Sequence, residues 1–265
     1  MPEGDTVFLA GHRLDEALAG RTLVRGELRH PRWATADLGG RDVLGVRSVG
    51  KHLFTRFSGG LSLHTHFRMD GAWHLYRPGD RWKRPGYQVR ARLEVPDRVA
   101  VGFSLHDVEL LPTDQEARLV GHLGPDLLGE GWDAGQEAEA TRRLAADPDR
   151  ELGVALLDQR VLAGVGNLYK AEVCFLLGAS PWTPVSGVDP AEAVRLSRKL
   201  LLANAWHPEQ STTGSMARGR HHWVFERTGK PCFRCGTRVR VGGQGAGVQE
   251  RPAYWCPHCQ PGPIA

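Results

Sequence analysis

Cys232-Phe-Arg-Cys235 and Cys256-Pro-His-Cys259 lie near the C-terminal end of the chain, with 20 residues between the two pairs. Each pair offers two thiolates from one tight turn, and two such knuckles complete a tetrahedron around Zn²⁺. Every ligand of the expected zinc is a protein atom. The site is therefore structural, because a catalytic zinc keeps a position open for water. A pair of disulfides is the competing use of four cysteines and is disfavoured in an intracellular chain. The fifth cysteine, Cys174, falls on an apolar helical face and reads as core filler. Arg234, Arg238, Arg240 and Arg251 stand in or beside the knuckles, a composition that favours contact with phosphate.

Upstream of this finger the pattern is helical. Asp189-Pro190-Ala191-Glu192 supplies a cap, a first-turn proline and an acidic third position, and the helix is expected to run to about Trp206. Further helical patterns cover about 114–123, 136–146, 150–158 and 167–177. Thr113 followed by Glu116 has the spacing of a capping box. Between the last helix and the finger, residues 210–220 are rich in Gly, Ser, Thr and Arg and read as a mobile loop. The Gly-rich stretch 242–247 reads as a hairpin tip, since no strand–helix pattern or Lys-Ser/Thr pair marks a phosphate loop.

Before Pro112 the periodicity is that of short strands, at 22–28, 43–49, 52–57, 61–66, 72–76, 88–95 and 99–105, broken by Gly, Pro and Asp. A helix over 5–19 precedes them, with Val7, Ala10, Leu14, Ala17 and Leu18 at helical spacing and Gly20 as the stop. Residues 107–113 are expected to be a linker. The fold class is thus α+β and multidomain. Its parts are an N-terminal helix with a β-sandwich or barrel (1–112), a helical domain (113–220) and a zinc finger (221–265).

The 265 residues are 41% hydrophobic, which excludes wholesale disorder. No run approaches the ~20 apolar residues of a membrane span, and no signal peptide opens the chain, so a cytoplasmic protein is expected. Charge is unevenly spread. Residues 1–103 hold 17 Lys/Arg against 11 Asp/Glu, residues 104–160 hold 5 against 13, and residues 191–265 hold 11 against 4. Basic ends around an acidic middle fit a polyphosphate partner.

The opening Met1-Pro2-Glu3-Gly4-Asp5 carries a chemical possibility. Loss of Met1 exposes Pro2 as a secondary amine. An α-amino group titrates near pH 7.7–8.0, so a usable fraction is neutral and able to attack an electrophilic sugar carbon. Glu3 beside it can supply a proton. Four separated segments then agree in order: Pro2-Glu3-Gly4, Gly50-Lys51-His52, Leu162-Ala-Gly-Val-Gly-Asn-Leu-Tyr169 and Arg251-Pro-Ala-Tyr-Trp-Cys-Pro-His-Cys-Gln260. Together they resemble the formamidopyrimidine-DNA glycosylase/endonuclease VIII family of base-excision repair enzymes over essentially the whole chain.

The resemblance implies a helix–two-turn–helix within the helical domain and a single structural Zn²⁺ on Cys232, Cys235, Cys256 and Cys259. It implies Pro2 as nucleophile, Glu3 as proton-transfer acid and Lys51 as a hairpin lysine that contacts phosphate and assists catalysis. Asn167, with the backbone at Gly166, is implied to grip DNA beside the lesion, and Arg251 to hold the flanking phosphates and serve the catalytic centre. Tyr169 and Lys170, in the same segment, are supporting DNA contacts or packing. Met69 matches the wedge that fills the void left by a flipped nucleotide, with Arg68 as the alternative. The implied activity is a bifunctional DNA glycosylase and AP lyase acting through a proline Schiff base with β,δ-elimination on damaged, double-stranded DNA, as a monomer near the nucleoid.

The Pro-Glu-Gly opening looks like the endonuclease VIII branch and implies oxidised pyrimidines as substrates. Side chains that would complete the void filling of the other branch are not apparent near Leu105-His-Asp107. Asp5 and Thr6 depart from the usual Pro and Glu of the family, which places 8-oxopurine processing in question. Two readings compete: a non-catalytic zinc-dependent DNA-binding protein on the same scaffold, and an AP lyase with little glycosylase activity. A zinc hydrolase is disfavoured by the all-cysteine site and the lack of a His-Glu-x-x-His pattern.

Overall fold

A computed structural model describes residues 2–245, 247 and 250–264. The chain divides into two compact units, Met1–His122 and Leu123–Ala265. In the first, helix α1 (Gly4–Leu18) is followed by nine strands: β1 (Arg21–Thr22), β2 (Arg25–Leu28), β3 (Asp42–Val49), β4 (His52–Phe57), β5 (Leu61–His66), β6 (Ala72–Tyr76), β7 (Val89–Val95), β8 (Arg98–Phe103) and β9 (Asp107–Pro112). They form two antiparallel sheets, ordered β1-β3-β4-β5-β9 and β2-β7-β8-β6.

One core joins these layers. Val7, Leu14 and Leu18 of α1, Val46, Leu53 and Phe57 of the five-stranded sheet, and Leu93, Val95 and Ala100 of the four-stranded sheet are buried in one cluster. Strand β7 alternates buried and half-buried positions along its length, so its even-numbered side chains leave that interior. The opposite face of β8 buries Val99, Val101 and Phe103 with Tyr76, Val89 and Trp82 in a second, smaller core. The sandwich follows from short alternating strands that must each bury one face.

Two expectations are corrected here. Residues 107–112 are the edge strand β9, paired with β5 from His66↔Asp107 to Leu61↔Pro112, and only its mixed burial made it resemble a linker. The Thr113/Glu116 pair is no capping box. Glu116 is buried and binds Arg47, Arg56 and Ser62 across the sheet, while Thr113 meets the Ser62 hydroxyl. The charge pairs outcompete the backbone for the carboxylate, and the helix that follows, α2 (Ala117–Val120), is one turn long.

The second unit contains α3 (Ala134–Ala145), α4 (Leu152–Leu157), α5 (Asn167–Leu176), α6 (Pro190–Asn204) and the hairpin β10 (Arg240–Gln244)–β11 (Arg251–Trp255). Asp189 caps α6 through Ala191 N–H, as its sequence implies. Helix α5 lies at the centre of this unit, with nine of its ten residues buried. Its core continues into Val224, Phe225, Cys232, Val239 and Cys256, so the cysteine region and the helices share one interior. Of the expected hairpin tip, Ala246, Val248 and Gln249 lie outside the described residues.

Candidate active site

Helix α1 starts at the residues singled out for chemistry. Glu3 is its N-cap residue in extended conformation, its carboxyl does not cap the helix, and it is completely buried. Pro2 beside it is half-buried. A carboxyl fully enclosed at the head of a helix is uncommon, and it marks this end of α1 as a candidate site. Asp5, one turn into the helix, is also buried, and Thr6 is half-buried.

Lys51 sits in the two-residue turn that joins β3 to β4. Gly50 takes φ 58°, and Val49 pairs with His52 to close the hairpin. A turn with positive φ suits the twist of the strands and fixes the lysine at the tip. Three histidines follow on β4 and β5. His52 Nδ1 lies 2.9 Å from His64 Nε2, and the His52 ring meets His66 edge-on. Burial, reinforced by the neighbouring histidines, pushes His52 down to about 3 and His64 to about 4. His66 is lowered too, by burial first and in part by Lys51. At neutral pH these rings therefore add no charge beside Lys51.

Met69 stands at the tip of the turn 67–71 and is 65% exposed. Arg68 is engaged elsewhere. Its Nε and Nη2 donate to the two carboxylate oxygens of Asp107, at 3.0 and 3.1 Å.

In the second unit, α4 and α5 are joined by the segment 158–166, which turns at 159–161 and is held by Gln159, whose amide donates to Leu157 O and Val165 O and whose Oε1 accepts from Gly164 N–H. Gly166 is the N-cap of α5 and Asn167 its first residue. Asn167 is 3% exposed, yet neither its Oδ1 nor its Nδ2 has a hydrogen-bond partner among the described residues. A buried amide left unsatisfied costs free energy and marks a place prepared for something else. Of the two uses expected of Lys170, DNA contact and packing, the structure favours packing. The side chain is fully buried, and its Nζ donates to Pro252 O. It thereby ties α5 to β11 beside Arg251, whose own side chain is exposed.

The four cysteines converge. Their sulfurs all lie within 4.8 Å of one another, with Cys232–Cys259 at 3.9 Å and Cys235–Cys256 at 3.5 Å. Thiolates about 2.3 Å from a tetrahedral metal are separated by about 3.8 Å, so the cluster fits a metal ion. Cys174 is buried elsewhere, and burial pushes its thiol up to about 12, in keeping with core filling.

Sequence reasoning missed Glu172. Completely buried in α5, it accepts from the N–H groups of Trp223, Val224 and Phe225 and from the Thr212 hydroxyl. It roots the loop 210–220 at one side, while Asn204 exchanges two hydrogen bonds with Ser211 at the other. An acid within an otherwise apolar stretch of helix was the available signal.

The N-terminal domain model of formamidopyrimidine-DNA glycosylase matches residues 1–115. A protein of Streptomyces coelicolor named probable endonuclease 8 2 is 54% identical over 99% of this chain and 95% of its own length. The chain belongs to the formamidopyrimidine-DNA glycosylase/endonuclease VIII family. A second relative of this family, from Mycolicibacterium smegmatis and named DNA-(apurinic or apyrimidinic site) lyase Nei2, is 45% identical over 98% of this chain and 99% of its own. The family fold recurs in the Lactococcus lactis formamidopyrimidine-DNA glycosylase, solved with DNA containing an AP site. That structure superimposes with a TM-score of 0.79 over 98% of this chain and 100% of the other, at 22% identity.

Proposed function

We propose that this protein is a bifunctional DNA glycosylase and AP lyase of base-excision repair that removes oxidised bases, pyrimidines foremost, from double-stranded DNA. The observation that carries the reading is the fully enclosed Glu3 carboxyl at the head of α1, beside the Pro2 nitrogen that becomes a secondary amine once Met1 is removed.

A base stacked in a duplex is out of reach, so the nucleotide must be flipped, at a cost of a few kcal/mol. Met69, exposed on its turn, serves as the wedge that fills the void. Asn167 and Gly166 at the head of α5, Arg251 on β11 and Lys51 on its hairpin hold phosphates without reading sequence. The unsatisfied Asn167 amide gains its partners there.

With Met1 removed, the Pro2 nitrogen attacks C1′ and the damaged base departs with the glycosidic electron pair. Glu3 protonates the sugar ring oxygen, the C1′–O4′ bond opens, and loss of the proline N–H proton leaves an iminium. The iminium acidifies the C2′ hydrogen. Its removal expels the 3′-phosphate, a second elimination expels the 5′-phosphate, and water releases the sugar fragment from Pro2. The thiolates of Cys232, Cys235, Cys256 and Cys259 would hold one Zn²⁺, which when bound fixes the finger and leaves no open coordination position. No partner subunit is required by this scheme, so the protein acts as a monomer on nucleoid DNA.

A second reading, an AP lyase with little glycosylase activity, is favoured by Thr6 at a position where the family usually carries Glu and by the name of the M. smegmatis relative. Borohydride trapping separates the two. Wild-type protein is expected to form a covalent adduct on duplexes carrying thymine glycol and on those carrying an abasic site, and Pro2→Gly on neither. Adducts at abasic sites alone establish the lyase. Absence of any adduct, with protein shown by mass to lack Met1, removes the enzymatic reading and leaves a DNA-binding zinc protein.

A further inference from the structure

The turn that presents Met69 is restrained well beyond what a surface turn needs. Arg68 adopts φ 50°, a left-handed conformation that a side chain of its size rarely takes. Its N–H donates to His66 Nδ1 at 3.2 Å, and Gly71 N–H closes onto Phe67 O at 2.9 Å. Gly71 is required there, because a Cβ would come within 2.5 Å of that same carbonyl oxygen. Strain of this kind persists where surrounding contacts over-determine it.

Those contacts come from the loop 104–107, between β8 and β9. Asp107 holds the Arg68 guanidinium through both oxygens. His106 Nε2 lies 2.6 Å from Asp70 Oδ1, on the other side of Met69. The loop is itself anchored, since Leu105 is 2% exposed in the sandwich core and Asp107 opens the paired strand β9. Met69 therefore projects from between two cross-loop pairs whose far ends are fixed.

We propose that the loop 104–107 is a splint for the wedge, with Asp107 and His106 as positioning residues that hold the turn 67–71 so that Met69 is ready to enter the duplex. This rests on the assignment of Met69 as the wedge. It also gives Arg68 a role: the guanidinium braces the turn through Asp107 and does not itself fill the void. A bidentate pair fixes orientation as well as distance, which an isolated charge contact would not. Preorganisation matters for this residue because a flexible wedge must be ordered at the moment the base pair is broken.

The readout is the ratio of single-turnover cleavage rates on an abasic site in duplex DNA and on the same site in a single strand, where no base pair has to be opened. Asp107→Asn and Arg68→Ala are each expected to lower that ratio about fivefold, with melting temperatures unchanged, the size of a well-formed exposed ion pair. Asp107→Glu, which can still span the pair, restores most of it. The double variant Met69→Ala/Asp107→Asn should fall no further than Met69→Ala alone, because Asp107 acts through Met69. An unchanged ratio in Asp107→Asn, or losses that add in the double variant, overturns the splint while the wedge stands. A ratio unaffected by Met69→Ala overturns the wedge assignment and the splint together, and a larger loss in Arg68→Ala than in Met69→Ala makes Arg68 the wedge.

Discussion

Asn167 and Lys170 are three residues apart on α5 and both are buried, and hydrogen bonding is what separates them. Both were readable as DNA contacts from their place in the family motif. Lys170 Nζ donates to Pro252 O, and Asn167 has an amide with no partner among the described residues. A side chain that makes no intramolecular hydrogen bond has little to lose on truncation. Asn167→Ala is therefore expected to shift stability by less than about 1 kcal/mol while weakening binding to abasic-site duplex about tenfold. Urea unfolding and a fluorescence anisotropy titration measure the two quantities, and a large loss of stability with intact affinity would reverse the assignment. The motif identified the position, but the sequence could not tell which of two buried polar neighbours is bonded within the protein, because α5 is buried almost all round and shows no polar face. Glu3 was legible as an acid beside an amine. That it is wholly enclosed was not.

Among the elements, β4 and β5 carry an acid-sensitive device that their sequences only half disclose. His52, Leu53, Phe54 and then Leu63, His64, Thr65, His66 read as ordinary strand residues, yet the register places His52 opposite His66 and Phe54 opposite His64. Burial keeps His52 and His64 neutral in the folded protein, at about 3 and about 4 against the usual 6.5. Their contribution is fully present above pH 6.5, where the unfolded chain is neutral as well. It is lost as pH falls below 6.5, because the unfolded chain takes up protons that the folded one refuses. Glu116 continues the trend in a lower window. Burial raises its pKa, but the bonds from Arg56, Ser62 and Arg47 outweigh that and bring it to about 2, so its contribution fades as pH drops from 4.5 towards 2. Stability is thus expected to decline in two stages. His64→Phe, beside the Phe54 ring, should flatten the first stage, seen as a smaller shift of the urea midpoint between pH 7.5 and pH 5. An equal shift in wild type and variant would assign the acid sensitivity elsewhere. Helices α1 and α3 to α6, by contrast, were legible to within about two residues, because their caps and periodicity are local, whereas the helix expected over 114–123 is only the single turn α2. Strand β9 and the ion pairs of Glu116 were not, because their partners, from His66 opposite Asp107 to Arg47 beside Glu116, lie far away in sequence.

At the scale of the whole molecule, the cysteine knuckles that organised the sequence reading also organise the second unit. Cys232 and Cys256 are buried in the same cluster as Leu168, Val173 and Phe175 of α5. Phe175 stacks on Trp223, and the Arg234 guanidinium, between Cys232 and Cys235, covers both rings. The spacing of the cysteines disclosed that four thiols would converge; it could not disclose that they are built into the core around α5, which depends on long-range packing. The first unit has its own closed core and contributes none of the four thiolates. Removal of zinc should therefore act on the two units unequally. A structural zinc site supplies folding free energy directly, and without it four thiols crowd within a few ångströms in a core that loses its fixed shape. Calorimetry of protein stripped with a chelator is expected to show a second-unit transition lowered by 10 °C or more on the scale of about 2–4 °C per kcal/mol, with the first-unit transition in place. Affinity for abasic-site duplex should fall with it, since Asn167 and Arg251 both belong to that unit, and re-addition of Zn²⁺ should restore both. A chelated protein whose two transitions and DNA affinity match those of the metal-loaded form would show that packing around α5 suffices to hold the finger.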